Sequence, residues 1–408
     1  MKILHVIRDL SRATGGPVNA LKGLAEAQAA LGHEVAILAI DVGGDNVIPV
    51  SASVHLVRAR HNVCFWAPEI KELLEMLVPR SDIVHAHMVW DYPIWEASRQ
   101  ARRFGKPFIL RPCGNLETWS LSQKRLKKMI YLRSFGSVVH SAAAIHYTSE
   151  SERAGSVAVT RDHGSVIIPL GVLPEIAERV NAGNFVRRFS ELHDKRIVLF
   201  LGRLHPKKRP ELVIDAFSTI AGEDQRRHLV LAGPAEEAYR VSLLTRVQRK
   251  GIAERVTFTG LLGPEDVREA IAAADVFVLP SQQENFGISV VEAMAGGCPV
   301  VISDRIGIVP EILAEDAGIV CPMQPASIAD ALRRILDDDA LRRRMGENGR
   351  NLVLSRYTWP RVADEVLETY SKLITAPGVD FHPELTRPWS EPPRLDQGHG
   401  KTNTFCGP

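Results

Sequence analysis

Val276-Phe-Val-Leu-Pro280-Ser-Gln-Gln-Glu284-Asn-Phe-Gly287-Ile-Ser-Val-Val-Glu292-Ala-Met-Ala-Gly-Gly297-Cys-Pro299-Val-Val301-Ile302 reads as strand, loop, helix and strand. Val276–Leu279 and Pro299–Ile302 are continuously apolar, as strands of a parallel sheet covered on both faces are. Between them the spacing places the start of a helix near Phe286 or Gly287. A strand, a crossover helix and a second strand make one right-handed βαβ unit.

The same alternation runs outward in both directions. Ile197–Leu201, His228–Ala232 and Val256–Thr259 precede the unit as strands. Ile3–Ile7, Val35–Ile40, Asp82–His85, Pro107–Leu110 and Ala144–Tyr147 form an earlier series, with helical spacing over Leu21–Leu31 and residues 93–104. Pro174, Gly183 and Asn184 interrupt a charged stretch between the two series. The expected fold class is α/β: two doubly wound Rossmann-like domains whose parallel sheets face an interdomain cleft. The expected domains are 1–180 and 196–357, joined by a linker at 181–195. A helix at 358–374 packs back toward the first domain, and an irregular Pro- and Gly-rich tail covers 375–408.

Composition narrows the class. The chain has 408 residues, 45% hydrophobic and 24% charged, which is a soluble globular balance rather than a disordered one. Fifty basic against 48 acidic residues leave a net charge of +2, so nucleic acid is not an expected partner. Cys64, Cys113, Cys298, Cys321 and Cys406 are scattered and odd in number, arguing against disulfides and a structural zinc site. Met1-Lys2-Ile3-Leu4-His5-Val6-Ile7-Arg8 lacks the pattern of a secretory signal. A cytoplasmic protein is expected.

Two loops carry charge where a doubly wound sheet binds ligands, beyond the carboxyl ends of strands. One is Glu284-Asn285-Phe286-Gly287-Ile288 with Glu292 further along the helix. Free N–H groups at a helix start attract an anion, and two flanking carboxylates suit a polyhydroxyl ligand. Ordinary acidic residues at the two ends of a surface helix are the plainer alternative. The other loop is Gly202-Arg203-Leu-His205-Pro-Lys207-Lys208-Arg209, whose Arg203 and Lys208 can neutralise phosphate. A solvated basic loop is the alternative there.

Gly-Arg-x4-Lys at 202, 203 and 208, followed by Glu-x7-Glu at 284 and 292, resembles the retaining GT-B glycosyltransferases of family 4. The resemblance covers roughly residues 1–372. It extends to the Gly15-Gly16-Pro17 turn, to Asp82-Ile-Val-His85-Ala-His87 and to Ile168-Pro169-x-Gly171-Val172. It implies transfer of a sugar from a nucleotide-diphosphate sugar to a hydroxyl acceptor, with configuration retained and with neither cofactor nor metal. By resemblance Arg203 and Lys208 match the diphosphate-binding pair, and Glu284 matches the carboxylate at the donor sugar hydroxyls. Glu292 matches the ribose carboxylate. Asn285, Phe286, Gly287 and Ile288 belong to the loop around phosphates and sugar, and Gly15 and Gly16 to the loop that approaches them across the cleft. Arg203, Lys208 and Glu284 are thus the catalytic set. Surface polysaccharide or glycolipid synthesis is the implied setting.

The sequence also departs from the family pattern. Cys113 stands where many members carry His, Leu170 replaces the common Asn of Ile-Pro-Asn-Gly, and Arg209 replaces the usual Gly after the motif lysine. A small buried thiol is the expected reading of Cys113. Two rivals share the fold: a nucleotide-sugar 2-epimerase-like enzyme, and a nucleotide-sugar-binding subunit without catalysis. A nicotinamide dehydrogenase is disfavoured because no G-x-G-x-x-G follows the first strand.

On the acceptor side, His85 and His87 are read on opposite faces of a strand end, with His87 nearer the loop. Asp91 follows among Trp90, Tyr92 and Trp95, and Cys113 completes the acceptor-side set. Residues 123–133, Gln-Lys-Arg-Leu-Lys-Lys-Met-Ile-Tyr-Leu-Arg, read as a basic amphipathic helix that could rest on anionic lipid. That would suit a saccharide or lipid-linked acceptor at the inner face of the plasma membrane. Asp337-Asp338-Asp339 reads as a solvated surface run rather than a metal motif.

Overall fold

The computed structural model describes residues 1–11, 14–43, 50–61, 65–123, 125–161, 163–178 and 180–375. Cys64, Cys406, Lys124 and the tail from 376 onward lie outside them; Thr375 ends the last helix.

Among the described residues, the first sheet has seven parallel strands: β1 (Lys2–Asp9), β2 (Glu34–Asp41), β3 (Ser53–Arg58), β4 (Ile83–His87), β5 (Phe108–Arg111), β6 (Ala144–Tyr147) and β7 (Ser165–Ile167). Their order is β3-β2-β1-β4-β5-β6-β7. The second has six: β8 (Arg196–Leu201), β9 (Arg227–Ala232), β10 (Val256–Gly260), β11 (Val276–Leu279), β12 (Val300–Ser303) and β13 (Gly318–Cys321), in the order β10-β9-β8-β11-β12-β13. The central strands are apolar on both faces because helices cover both. β3, β7 and β13, which the sequence reading did not pick out, are all at sheet edges.

One face of the first sheet packs against helices Glu69–Leu77 and Tyr92–Arg103. The other packs against Gly16–Ala30 and against the final helix, Trp359–Thr375. Trp359, Val362, Val366 and Tyr370 of that helix are buried there. The chain crosses between domains twice, side by side: Val172 N–H donates to the Tyr357 carbonyl and Trp359 N–H to that of Val172. Segment 181–195, expected as a linker, folds onto the second sheet. Phe185 and Leu192 are buried in its core, and Asn184 Nδ2 donates to Glu269 at 2.8 Å.

Candidate functional site

Strand order reverses between β1 and β4 in one sheet and between β8 and β11 in the other, which opens a crevice at each switch. Gly15 and Gly16 follow β1, Asp91 follows β4, Arg203 and Lys208 follow β8, and residues 284–288 follow β11. The four loops that the motifs occupy are the four that border the crevices.

Lys208 holds the centre of the C-terminal side. Its Nζ lies 2.9 Å from Glu284 Oε1, which also accepts from Ser281 Oγ at 3.1 Å. Glu292 keeps part of its surface open, yet burial pushes its carboxyl up to about 7 against the pull of Lys208. Lys208 therefore neighbours both motif carboxylates. Arg203 is exposed and forms no ion pair among the described residues.

The 284–288 loop is clamped by the next crossover. Glu284 N–H donates to the Arg305 carbonyl at 3.1 Å, and Gly307 N–H to that of Glu284 at 2.9 Å. The helix starts at Ile288, slightly later than expected, because Gly287 caps it at φ +91°. A side chain at Gly287 would be strained and would meet Ile306 Cγ2 at 2.7 Å. Phe286 is buried, edge-on to Tyr357 at 5.3 Å.

On the facing side, Gly15 caps helix Gly16–Ala30 at φ +71°, and a side chain at either glycine would meet nothing within 4 Å. That space lets a ligand reach the helix start. Asp91 is buried before helix Tyr92–Arg103, and burial raises its carboxyl to about 6 although Arg8 opposes this. Cys113 is half-buried at φ +54°, and its Sγ accepts from Arg111 Nε at 3.3 Å. It is less enclosed than expected: it borders a cavity of about 180 Å³ together with Glu117, Lys207, Gln283 and Asn285. Across that cavity Gln283 Nε2 donates to Glu117 Oε2, and Ser149 Oγ donates to the Asn285 carbonyl at 2.5 Å. Sequence reading missed Glu117 and Gln283 as site residues.

Two expectations are corrected. His85 and His87 lie on one face, ring centroids 4.3 Å apart, because side chains two apart on a strand point the same way. His87 is fully buried and bonds His5 Nδ1 through Nε2 at 2.9 Å, so it sits in the core rather than at an acceptor surface.

His5, His85 and His87 bring three ring nitrogens within 4.8 Å of one another. The positive Arg111 is a near neighbour, and burial holds all three rings well toward the neutral form. A divalent ion there would add charge beside an arginine with no carboxylate in the group. Hydrogen bonds join the rings to the fold instead: His5 to Gln28 at 2.8 Å and His85 to Tyr370 at 2.6 Å. The acidic run is structural as well. Asp337 pairs with Arg227, Asp338 caps helix Asp339–Arg356, and Asp339 pairs with Arg196 and Arg342.

Helix Arg125–Phe135 exposes Leu126 (69%), Met129 and Ile130 (58%) beside exposed Lys127. Lys128 turns inward, over the Trp90 ring and onto the Ser120 carbonyl at 2.6 Å. Among the described residues, no helix is long and apolar enough to cross a membrane.

Comparison with known proteins agrees with this geometry. The family described as glycosyl transferases group 1 matches residues 184–352, and the glycosyl transferase 4-like domain matches 15–171. An uncharacterized glycosyltransferase of Methanocaldococcus jannaschii is 29% identical over 91% of this chain and 98% of its own length. The alpha-D-kanosaminyltransferase of Streptomyces kanamyceticus is 32% identical over 45% of this chain, a match spanning about half (47%) of that protein. The crystal structure of Anabaena HepE in complex with UDP and glucose superposes with a TM-score of 0.75 at 18% identity, over 91% of this chain and all of the other. Sucrose-phosphate synthase of Thermosynechococcus elongatus gives 0.74 at 23% identity, over 92% of this chain and all of that one. With each domain matched by its own glycosyltransferase family and the two-sheet architecture shared with those structures, the chain belongs to the GT-B glycosyltransferases of the family 4 type.

Proposed function

We propose that the chain moves a sugar from a nucleotide-diphosphate sugar to a hydroxyl acceptor, with retention of configuration and without a metal ion. The observation that carries this reading is the meeting of Lys208, Glu284 and Glu292 beneath the Gly287–Ile288 helix start. The anomeric carbon–oxygen bond to the diphosphate breaks as a bond to the acceptor oxygen forms. Negative charge grows on the departing phosphate, where Arg203, Lys208 and the helix N–H groups supply positive charge from the chain itself. The acceptor's proton leaves on the nucleoside diphosphate. Solved relatives in complex with UDP, or with UDP-glucose, support a nucleotide-sugar donor.

The test is a binding and hydrolysis screen of UDP-, GDP-, ADP- and dTDP-sugars, with and without EDTA, alongside Arg203→Ala. One saturable donor, turnover that survives EDTA and loss of both in the variant are expected. The product's anomeric proton coupling reads retention, and an epimerised free donor would favour the epimerase rival. A folded protein that binds no donor overturns the reading.

The apolar, basic face of helix Arg125–Phe135 supports an acceptor met at an anionic lipid surface, in surface polysaccharide or glycolipid synthesis on the cytoplasmic side. Leu126→Glu/Ile130→Glu should abolish flotation with anionic vesicles; equal flotation removes this part.

A further inference from the structure

The cavity between the domains is lined by polar groups from both sides, Asn115 and Glu117 on one and Gln283 and Asn285 on the other. Gln283 Oε1 and Asn285 Nδ2 are buried and have no hydrogen-bond partner among the described residues. One is an acceptor and the other a donor. Leaving such groups unmet costs about 1–3 kcal/mol each, so a ligand that meets both after a small turn of the two amides would be favoured. Opposite them stands Glu117, 4% exposed, at the end of the loop that follows β5. Ser120 and Asn115 complete the facing wall. The cavity, about 180 Å³, is open to solvent, so a small ring can enter it from the cleft. Gly114 lets the walls close: a side chain there would stand 2.4 Å from Asn285 Nδ2.

We propose that this cavity seats a hydroxyl-bearing ring of the acceptor, and that Glu117, Gln283 and Asn285 read its hydroxyls. The inference rests on the transferase reading above. A hydroxyl both donates and accepts. With the two amides turned toward the cavity, it can take a hydrogen bond from Asn285 Nδ2 and give its own proton to Gln283 Oε1. Glu117 supplies a further donor. Burial raises its carboxyl to about 8, helped by Glu152 and Glu284 and opposed by Lys207 and the Gln283 bond, so it carries a proton at pH 7. A protonated carboxyl donates from one oxygen while the other accepts from Gln283. Lys207 lines the same space, and burial lowers its pKa. The lining both donates to and accepts from hydroxyls, so the ring selected is polyhydroxylated.

The test uses the full chain with the donor found in the screen. Neutral octyl β-glucoside, octyl β-galactoside and octyl α-mannoside serve as acceptor probes, followed by saturation-transfer NMR and initial rates. At least one probe should bind the wild type. Glu117→Ala should raise its KM tenfold or more while the dissociation constants of the donor and of its bare nucleotide stay within twofold. Glu117→Gln, whose amide still donates, should recover much of that affinity and lose the fall in acceptor affinity above pH 8. Unchanged KM in Glu117→Ala, or no binding of any probe by a wild type that binds donor, overturns the proposal. A donor affinity that falls while that of the bare nucleotide and the acceptor KM hold would give the ring to the donor sugar and overturn it too. Failure of the wild type to bind any donor would instead sink the transferase reading, so the two failures are separable.

Discussion

Lys208 and Glu284 form an ion pair at 2.9 Å across the two loops that leave β8 and β11, each side chain about one-fifth exposed. The pair occupies the position proposed for the donor's diphosphate. Binding must therefore exchange a carboxylate for a phosphate at Nζ, and the charge that stabilises the leaving group is held in place beforehand.

Lys208→Ala should lower kcat by about 10²- to 10³-fold, or about 2.7–4 kcal/mol, as loss of an oxyanion donor does. Glu284→Gln should raise affinity for the bare nucleoside diphosphate, because the carboxylate no longer competes for Lys208, while turnover falls. Steady-state kinetics and calorimetry read the two. Unchanged turnover in the lysine variant would contradict its role.

Donor affinity should depend on pH through Glu292. Burial raises its carboxyl from 4.5 to about 7. A ribose diol donates best to the ionised form, so binding releases a proton. Affinity should climb as pH rises toward 7 and level off above it. Glu292→Gln should weaken binding and flatten the profile; a profile that keeps its slope assigns the titration elsewhere.

Glu117 should mark the pH dependence of stability. Its folded-state value, about 8, lies above the ordinary 4.5. The favourable contribution of its protonated form is complete below about 4.5 and is lost as pH rises toward 8. Glu117→Gln removes that loss. The variant's Tm should pull ahead of wild type between pH 5 and 8 and hold the lead beyond, as scanning calorimetry would record.

The final helix should be a strong tie between the domains. Trp359 is 6% exposed and fills the space above Gly23 and Gly171; a side chain on either glycine would come within 3 Å of its atoms. Trp359→Ala should cost about 3–5 kcal/mol, as large aromatic truncations do. Gly171→Ala should destabilise through the clash. Urea titration measures both, and a loss below about 1 kcal/mol for Trp359→Ala would show that the docking is loose.

Short-range pattern made most of the fold legible. Ile197–Leu201 and Val276–Leu279 are apolar throughout because both faces of a central parallel strand are covered, and that pattern needs no partner to be read. Ser53–Arg58, at an edge and half in water, mixes Ser53, His55 and Arg58 among its apolar residues and hides its period. Arg203, Lys208 and Glu284 stood out because they follow β8 and β11, where a doubly wound sheet takes its ligand contacts, and Glu292 because it lies along the next helix; the roles expected of them rest on the family resemblance.

The sequence alone therefore determined the alternation of strands and helices, the two-sheet plan and the charged loops at the strand ends. All of these are local, set by burial period and by loop chemistry within a few residues. The tertiary structure alone decided which groups meet across the chain. Glu117 finds Gln283, 166 positions away, and His85 finds Tyr370, 285 positions away. Such pairs exist only because the packing of two domains and one returning helix brings distant strand ends together. The same enclosure takes the Glu117 carboxyl out of water and raises its pKa to about 8, a shift its neighbours in sequence do not foretell.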